Sequence, residues 1–300
     1  MRALEAQAHE LYNQGRTRNE VAAQVFGGNY NSAHSAYLRW KRTQSAAPQT
    51  PTFRFDFDRT FGVEIEAFGV TMQNLKNALE REGLNVEISS RGHACPDAWK
   101  ITRDGSVQGN DGFELVSPVL KGQDGLQALE KACRALKSCN AKINKTCGLH
   151  VHLGADDLKL KDFRNLIANY ARLETQIDAF MPESRRECNN RYIQSLNAGR
   201  TLDKTLALIK AGRNLKAIQK SAFGQNRYFK LNTQAFWVHK TVEFRHHSGT
   251  IEFDKIAKWV LFTARLTEYS KKIGAAESLQ NFTDPELDAY IADRKRKLSA

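Results

Sequence analysis

The 300-residue chain has no apolar run approaching the roughly 20 residues that a helix needs to cross a bilayer. Its first ten residues mix charges with Ala and Leu and lack the apolar centre of a secretory leader. A cytoplasmic protein with no membrane partner is therefore expected. Cysteine is scarce and odd in number, five residues (Cys95, Cys133, Cys139, Cys147 and Cys188) with no CxxC pair. That argues against a disulfide framework and against a zinc ribbon, and for reduced, structural thiols. Acidic residues are in deficit, 33 against 45 Lys and Arg, which leaves a net charge of +12. Such an excess serves either solubility or a polyanionic partner, nucleic acid or nucleotide. What is present in ordinary amount is hydrophobic residues, 41%, and aromatics, 9%. The length then allows one sizeable catalytic domain and a small accessory unit.

The first 43 residues read as three short helices. Leu4, Ala8, Leu11 and Tyr12 fall on one side of the first, and Gly15 ends it. Thr17 with Glu20 three residues later is a capping box for the second, which Gly27 and Gly28 stop. In the third, Ala33, Ala36, Tyr37 and Trp40 keep an apolar stripe while His34, Ser35, Arg39 and Arg42 take the other face. Helix, glycine turn and basic-faced helix is the pattern of a helix-turn-helix unit. Either it binds nucleic acid through Arg16, Arg18, Arg39, Lys41 and Arg42, or it is a three-helix adaptor that binds protein or nothing. Residues 44–55, within and just after the small, polar TQSAAPQTPT, are a linker. A catalytic domain is expected over 56–272, and a basic helical tail with Arg294, Lys295, Arg296 and Lys297 over 273–300.

Beyond the linker the pattern becomes α+β. Strands are predicted at 60–68, 100–104, 112–117, 148–153, 228–232 and 240–246, and helices at 71–82, 125–138, 160–180, 202–211 and 253–271. In FGVEIEAF (61–68) Val63 and Ile65 point one way, Glu64 and Glu66 the other. Two carboxylates on one strand face either sit in water or hold a cation between them. GFELVSP (112–118) carries one acid, Glu114, among apolar neighbours, where a free charge is costly. Asp104-Gly105-Ser106 is a turn signal placing a hairpin ahead of it. In CGLHVHLG (147–154) His150 and His152 share a face, for structure or for metal. In TVEFRHHSGT (241–250) Glu243, Arg245 and His247 are expected on one face, a carboxylate for a metal beside a guanidinium for a phosphoryl oxygen. Arg185, Arg186 and Arg191, in the Arg- and Asn-rich stretch 181–200, either meet an acidic substrate or are solvated.

FGVEIE (61–66), GFELVSPVL (112–120), CGLHVHLG (147–154), RYFKLN (227–232) and VEFRHHSGT with the following helix (242–259) together resemble the amidoligase family, relatives of glutamine synthetase and glutamate–cysteine ligase. The resemblance spans roughly residues 56–270. It implies a glutamine synthetase-like curved antiparallel sheet with flanking helices, whose concave face takes ATP and two or more Mg²⁺. By that likeness Glu64, Glu66, Glu114, His150 and Glu243 are metal ligands, Arg245 and Arg227 contact phosphate or nucleotide, and His152 and Asn232 complete the site. Cys147 is expected to be a packing residue. The reaction implied is formation of an amide from a carboxylate and an amine, at the expense of ATP and through an acyl phosphate. A guanidino-kinase-like phosphotransferase and a DNA-binding regulator that senses nucleotide or metabolite are the alternatives.

Overall fold

The computed structural model describes residues 2–45, 54–89, 97–188 and 190–299. Cys95, most of the expected linker and the Arg42 side chain lie outside the described residues. Two compact units divide between Arg54 and Phe55.

The first unit holds α1 (Arg2–Asn13), α2 (Arg18–Val25) and α3 (Tyr30–Ser45). Ala8, Tyr12, Val21, Ala22, Val25, Ala33 and Ala36 form its core, with Leu11, Phe26, Tyr37 and Trp40 packed around it. The small residues let the helices approach, and Tyr12 buries its ring because its hydroxyl donates to the Ala33 carbonyl at 2.7 Å. The Thr17–Glu20 capping box starts α2. Between α2 and α3 the backbone passes through φ +58° at Gly27 and +88° at Gly28, a left-handed turn that glycine makes without a Cβ clash.

The second unit is built on an open, mostly antiparallel eight-stranded sheet flanked by helices. Its strands are β1 (Thr60–Ala67), β2 (Val86–Ile88), β3 (Trp99–Arg103), β4 (Phe113–Val116), β5 (Leu120–Lys121), β6 (Gly148–Gly154), β7 (Leu231–Asn232) and β8 (Thr241–Ser248). Their spatial order is β2-β3-β4-β1-β6-β8-β7, with β5 pairing β1; β2 and β3 run parallel and the other pairs antiparallel. The helices are α4 (Met72–Arg81), α5 (Gly122–Ser138), α6 (Leu160–Asp178), α7 (Leu202–Ala211), α8 (Leu215–Phe223), α9 (Ala235–His239), α10 (Phe253–Lys272) and α11 (Pro285–Ser299).

The period-2 pattern decides which face each strand buries. Phe61, Val63, Ile65, Leu149, Val151, Leu153, Val242 and Phe244 are all buried, and α6 and α10 cover this side. Tyr170 of α6 packs on Phe244, and Trp259 of α10 on His247. The alternate positions carry the acids and imidazoles. Residues 276–291, within the segment expected as a tail, bury Ala276, Leu279, Phe282, Leu287 and Ile291, with Phe282 against Phe262 of α10.

The strand predicted at 228–232 is only two residues long. Lys230 turns its side chain into the helix layer, where Glu174 accepts at 2.8 Å and Asp178 at 2.7 Å, while Phe229 bridges Gln194 instead of β8. Helices α8 and α9 were not foreseen. Among the described residues no helix is long and apolar enough to cross a membrane.

Candidate active site

Register gathers the polar residues. In the antiparallel ladders Glu66 stands opposite Glu114, Glu64 opposite His150, His152 opposite Glu243, and Glu243 opposite Asn232. Each pair sits on the sheet face away from Val63, Ile65, Val151 and Phe244, so four central strands and β7 set one row of functional groups across the sheet. Cross-strand partners lie about 5 Å apart at Cβ, close enough for their heads to interact.

The contacts follow from that spacing. His150 Nδ1 lies 2.8 Å from Glu64 Oε2, and its Nε2 lies 3.6 Å from Glu66 Oε1. The Gly148 amide donates to Glu66 Oε2 at 2.6 Å. Glu243 accepts from Asn232 Nδ2 at 2.6 Å and from Arg245 Nη1 at 2.5 Å. His152 Nδ1 meets Thr241 Oγ1 at 2.9 Å. Its Nε2 is buried, with Glu64 and Glu243 oxygens 3.2 and 3.9 Å away. Three groups of potential ligand atoms each fall within 4.8 Å: Glu64–His152–Glu243, Glu64–Glu114–His150 and Glu66–Asp104–Glu114. Beside Glu64 and His152 a cavity of about 310 Å³ opens, with Phe61, Val116, Pro118 and Lys240 in its wall.

A family model described as "putative amidoligase enzyme" matches residues 57–267, from the approach to β1 into α10. The chain belongs to the amidoligase family. No curated protein matches it. The match takes in every strand of the sheet and leaves α1, α2, α3 and α11 outside.

The amidoligase carboxylates are electrostatically unequal. Burial pushes Glu114 up, and the neighbouring Glu64, Glu66 and Asp104 add to it, to about 10. Burial alone also opposes charge on Glu64, but His152 and His150 outweigh it and hold this carboxyl well below its usual range. Burial is likewise overcome at Glu243, where Arg245 and His152 lower the pKa. Burial works against a charged His152, and Glu64 overrides it to leave the imidazole pKa raised.

Of the residues expected at the site, Glu64, Glu66, Glu114, His150, His152, Asn232, Glu243 and Arg245 are brought together. Arg227 stands apart from them. It is exposed, with its guanidinium 5.2 Å from the Tyr228 ring, and Arg245 reaches the same ring at 6.0 Å. The expectation that His247 shares the face of Glu243 and Arg245 fails. A bulge sets two β8 residues against His150, since Leu149 pairs with His247 but Val151 with Phe244. His247 is thereby buried with its ring 5.4 Å from Trp259. Cys147 is fully buried and its thiol is pushed up by that burial, consistent with packing; Cys133, Cys139 and Cys188 are also free thiols.

Sequence reasoning missed Asp104, read only as a turn former. Its place at the end of β3, facing the start of β4 where Asp104 N–H donates to the Gly112 carbonyl at 3.1 Å, was the available signal. The Arg-rich stretch separates by burial: Arg185 is buried, Arg186 half-buried and Arg191 exposed.

Proposed function

We propose that the chain is an ATP- and Mg²⁺-dependent carbon–nitrogen ligase that joins a carboxylate to an amine through an acyl phosphate, on a glutamine synthetase-like sheet. The observation that carries this reading is the run of carboxylates Glu114, Glu66, Glu64 and Glu243 on β4, β1 and β8, with Glu114 pushed up to about 10 by burial and by the neighbouring acids. A donor set of carboxylates with one or two imidazoles fits a hard divalent cation better than zinc. Glu64, Glu66, Glu114, His150 and Glu243 would hold the metal ions, with Asp104 and His152 within reach. Mg²⁺ there supplies the positive charge that lets an anionic carboxylate approach the triphosphate.

The chain's own groups do the positioning. Arg245 is fixed by Glu243 and by the Tyr192 carbonyl, which leaves the rest of its fork for phosphoryl oxygens. Asn232 orients Glu243. Arg227, at the exposed edge of Tyr228, is a nucleotide contact. A substrate carboxylate oxygen attacks the γ-phosphorus and ADP departs. The amine nitrogen then attacks the acyl carbon, the C–O bond breaks, phosphate leaves with its electrons, and the amine releases a proton to water.

The test is thermal unfolding with ATP, with and without Mg²⁺, on the natural protein and on Glu64→Ala/Glu66→Ala. A Mg²⁺-dependent rise lost in the double variant is expected, because a ligand that binds only the folded state stabilises it. Hydroxylamine added with ATP and pooled carboxylic acids should then trap an acyl phosphate as a hydroxamate. Stabilisation by MgATP without hydroxamate favours the nucleotide-sensing regulator. ADP release onto a guanidino compound favours the phosphotransferase.

The first unit, on the same reading, is a helix-turn-helix that brings the ligase to nucleic acid. What supports it is the glycine turn joining α2 to α3 and the basic residues of the unit. Arg16 pairs with Glu20, and Arg39 with Glu5, both as exposed pairs. Exposed pairs contribute little, so exchanging those carboxylates for phosphates is cheap. Arg18 lies over the Tyr30 and Tyr37 rings, which holds its guanidinium at the α2–α3 surface.

A further inference from the structure

Among the described residues Arg59, Lys100, Lys230 and Arg185 are almost wholly enclosed, and acids neutralise Arg59 and Lys230. Arg59, its side chain 6% exposed, pairs with Asp157 at 2.6 Å and Glu268 at 2.5 Å. Lys230, 0% exposed, has Glu174 and Asp178. Arg185, 3% exposed, differs from those two. Among the described residues no carboxylate lies within 4.0 Å of its guanidinium. Its Nη2 donates to the Cys147 carbonyl, and its Nε is buried without a hydrogen-bond partner. A buried cation held by one carbonyl is a costly arrangement unless an anion completes it.

The surroundings define where that anion would sit. Arg185 ends a single 3₁₀ turn, Glu183–Arg185, directly after Pro182. The turn is pinned behind by Asp178, whose Oδ2 accepts from the Glu187 amide at 2.9 Å while its Oδ1 binds Lys230. In front lies Gly148. A Cβ at that position would stand 3.1 Å from His150 Nε2, 3.3 Å from Glu66 Oε2 and 3.4 Å from Arg185 Nη1. Glycine thus lets an imidazole, a carboxylate and the guanidinium converge at this point, and a Cβ would crowd all three. This is the Glu66 end of the row, whereas Arg245 lies against Glu243.

We propose that Arg185 is a second anion-binding residue of the site, taking an oxyanion beside Gly148, at the Glu66 end of the row. Resting on the ligase reading, it places the oxygens of the acid substrate, as carboxylate or as acyl phosphate, against Arg185 while Arg245 serves the Glu243 end. The guanidinium fork then compensates charge on the substrate side, beside Glu66 and His150.

The experiment uses full-length protein with Mg²⁺, titrated calorimetrically with inorganic phosphate, with acetate and separately with MgADP. Variants are Arg185→Gln, Arg185→Lys and Gly148→Ala, each checked for its melting temperature. We expect Arg185→Gln to weaken binding of at least one oxyanion at least tenfold, Arg185→Lys to recover part of it, and Gly148→Ala to mimic the loss with the arginine intact. MgADP affinity should stay within twofold in Arg185→Gln. Loss of phosphate binding alone assigns the subsite to the phosphoryl group, and loss of acetate binding alone to the carboxylate. Unchanged affinity for both probes in Arg185→Gln, or natural protein that takes neither probe, overturns the proposal. A lowered melting temperature with unchanged probe affinity does the same and leaves Arg185 a structural clasp for Cys147. If the natural protein binds the oxyanions through Arg185 but not MgADP, the subsite stands and the ligase reading falls.

Discussion

Glu66 of β1 and Glu114 of β4 face each other directly in the antiparallel ladder, carboxylate against carboxylate. Like charges in that relation destabilise a sheet, and the fold answers by keeping a proton on Glu114, whose pKa is pushed up to about 10 by burial and by Glu64, Glu66 and Asp104. The linkage has a definite sign. A carboxyl whose folded pKa exceeds its unfolded value contributes fully only below about 4.3 and loses stability as pH rises towards the folded value. Metal-free protein should therefore lose stability between about pH 5 and 9, by at most roughly 1.4 kcal/mol per pH unit from this group. Glu114→Gln, which cannot ionise, should flatten that slope and raise the metal-free melting temperature at pH 8, while reducing the stabilisation given by Mg²⁺. Denaturant unfolding across the pH range measures it. A slope unchanged in Glu114→Gln would place the strain elsewhere.

On the acid side the buried imidazoles take over. Burial pulls His246 down to about 4 and His247 down to about 3. The unfolded chain binds protons at these histidines from about pH 6.5 downward while the folded chain does not. Stability should therefore fall as pH drops from about 6.5 to 4, opposing the Glu114 trend and putting the maximum near pH 6.5. His247→Phe keeps an aromatic ring beside Trp259 and removes one titrating group. Its unfolding free energy should decline less steeply between pH 6.5 and 4.5 than that of the natural protein. An equal decline would show that His247 is not the group responsible.

Lys230 is enclosed with Glu174 and Asp178, and Asp178 Oδ1 also lies 2.6 Å from His246 Nε2. Removing the cation leaves two buried acids without their partner, which costs about 3–5 kcal/mol. Lys230→Met should lose that much in denaturant unfolding. Adding Glu174→Gln and Asp178→Asn should recover a large part, because neutral amides do not demand the ammonium. Loss without recovery would mean the aliphatic stem of Lys230, not its charge, is what the core requires.

Much of the site was legible because period 2 is a strong signal. Glu64 and Glu66, or His150 and His152, can share a face only if they stand two apart on a strand, and the structure has them so. The cross-strand partnerships were not legible, since register depends on how separate segments meet. Nothing local says that Glu114 faces Glu66. The β8 bulge misled the reading of His247, because one extra residue inverts the alternation beyond it. Arg185 was indistinguishable from Arg186 and Arg191 in sequence. Its burial comes from Pro182 and the Asp178 clamp, both of which act through tertiary placement. Strand 228–232 was overestimated because Lys230 reads as a surface lysine and is instead the counterion of α6.

The division between Arg54 and Phe55 makes the two units separable in a way that can be measured. The first unit has its own core, from Ala8 to Ala36, and its own caps. The row from Glu114 to Asn232 belongs entirely to the second unit. Deleting residues 1–53 should therefore leave a folded protein whose MgATP-dependent rise in melting temperature matches that of the full chain. The same deletion should weaken binding to a fluorescently labelled duplex and remove most of its salt dependence. Every duplex phosphate that the shortened chain no longer neutralises makes log affinity less steep against log salt by about 0.9. Concurrent loss of both activities would contradict independent units. Retention of nucleic-acid binding by the shortened chain would move the basic surface to the second unit, where Arg294, Lys295, Arg296 and Lys297 of α11 are the residues to neutralise next.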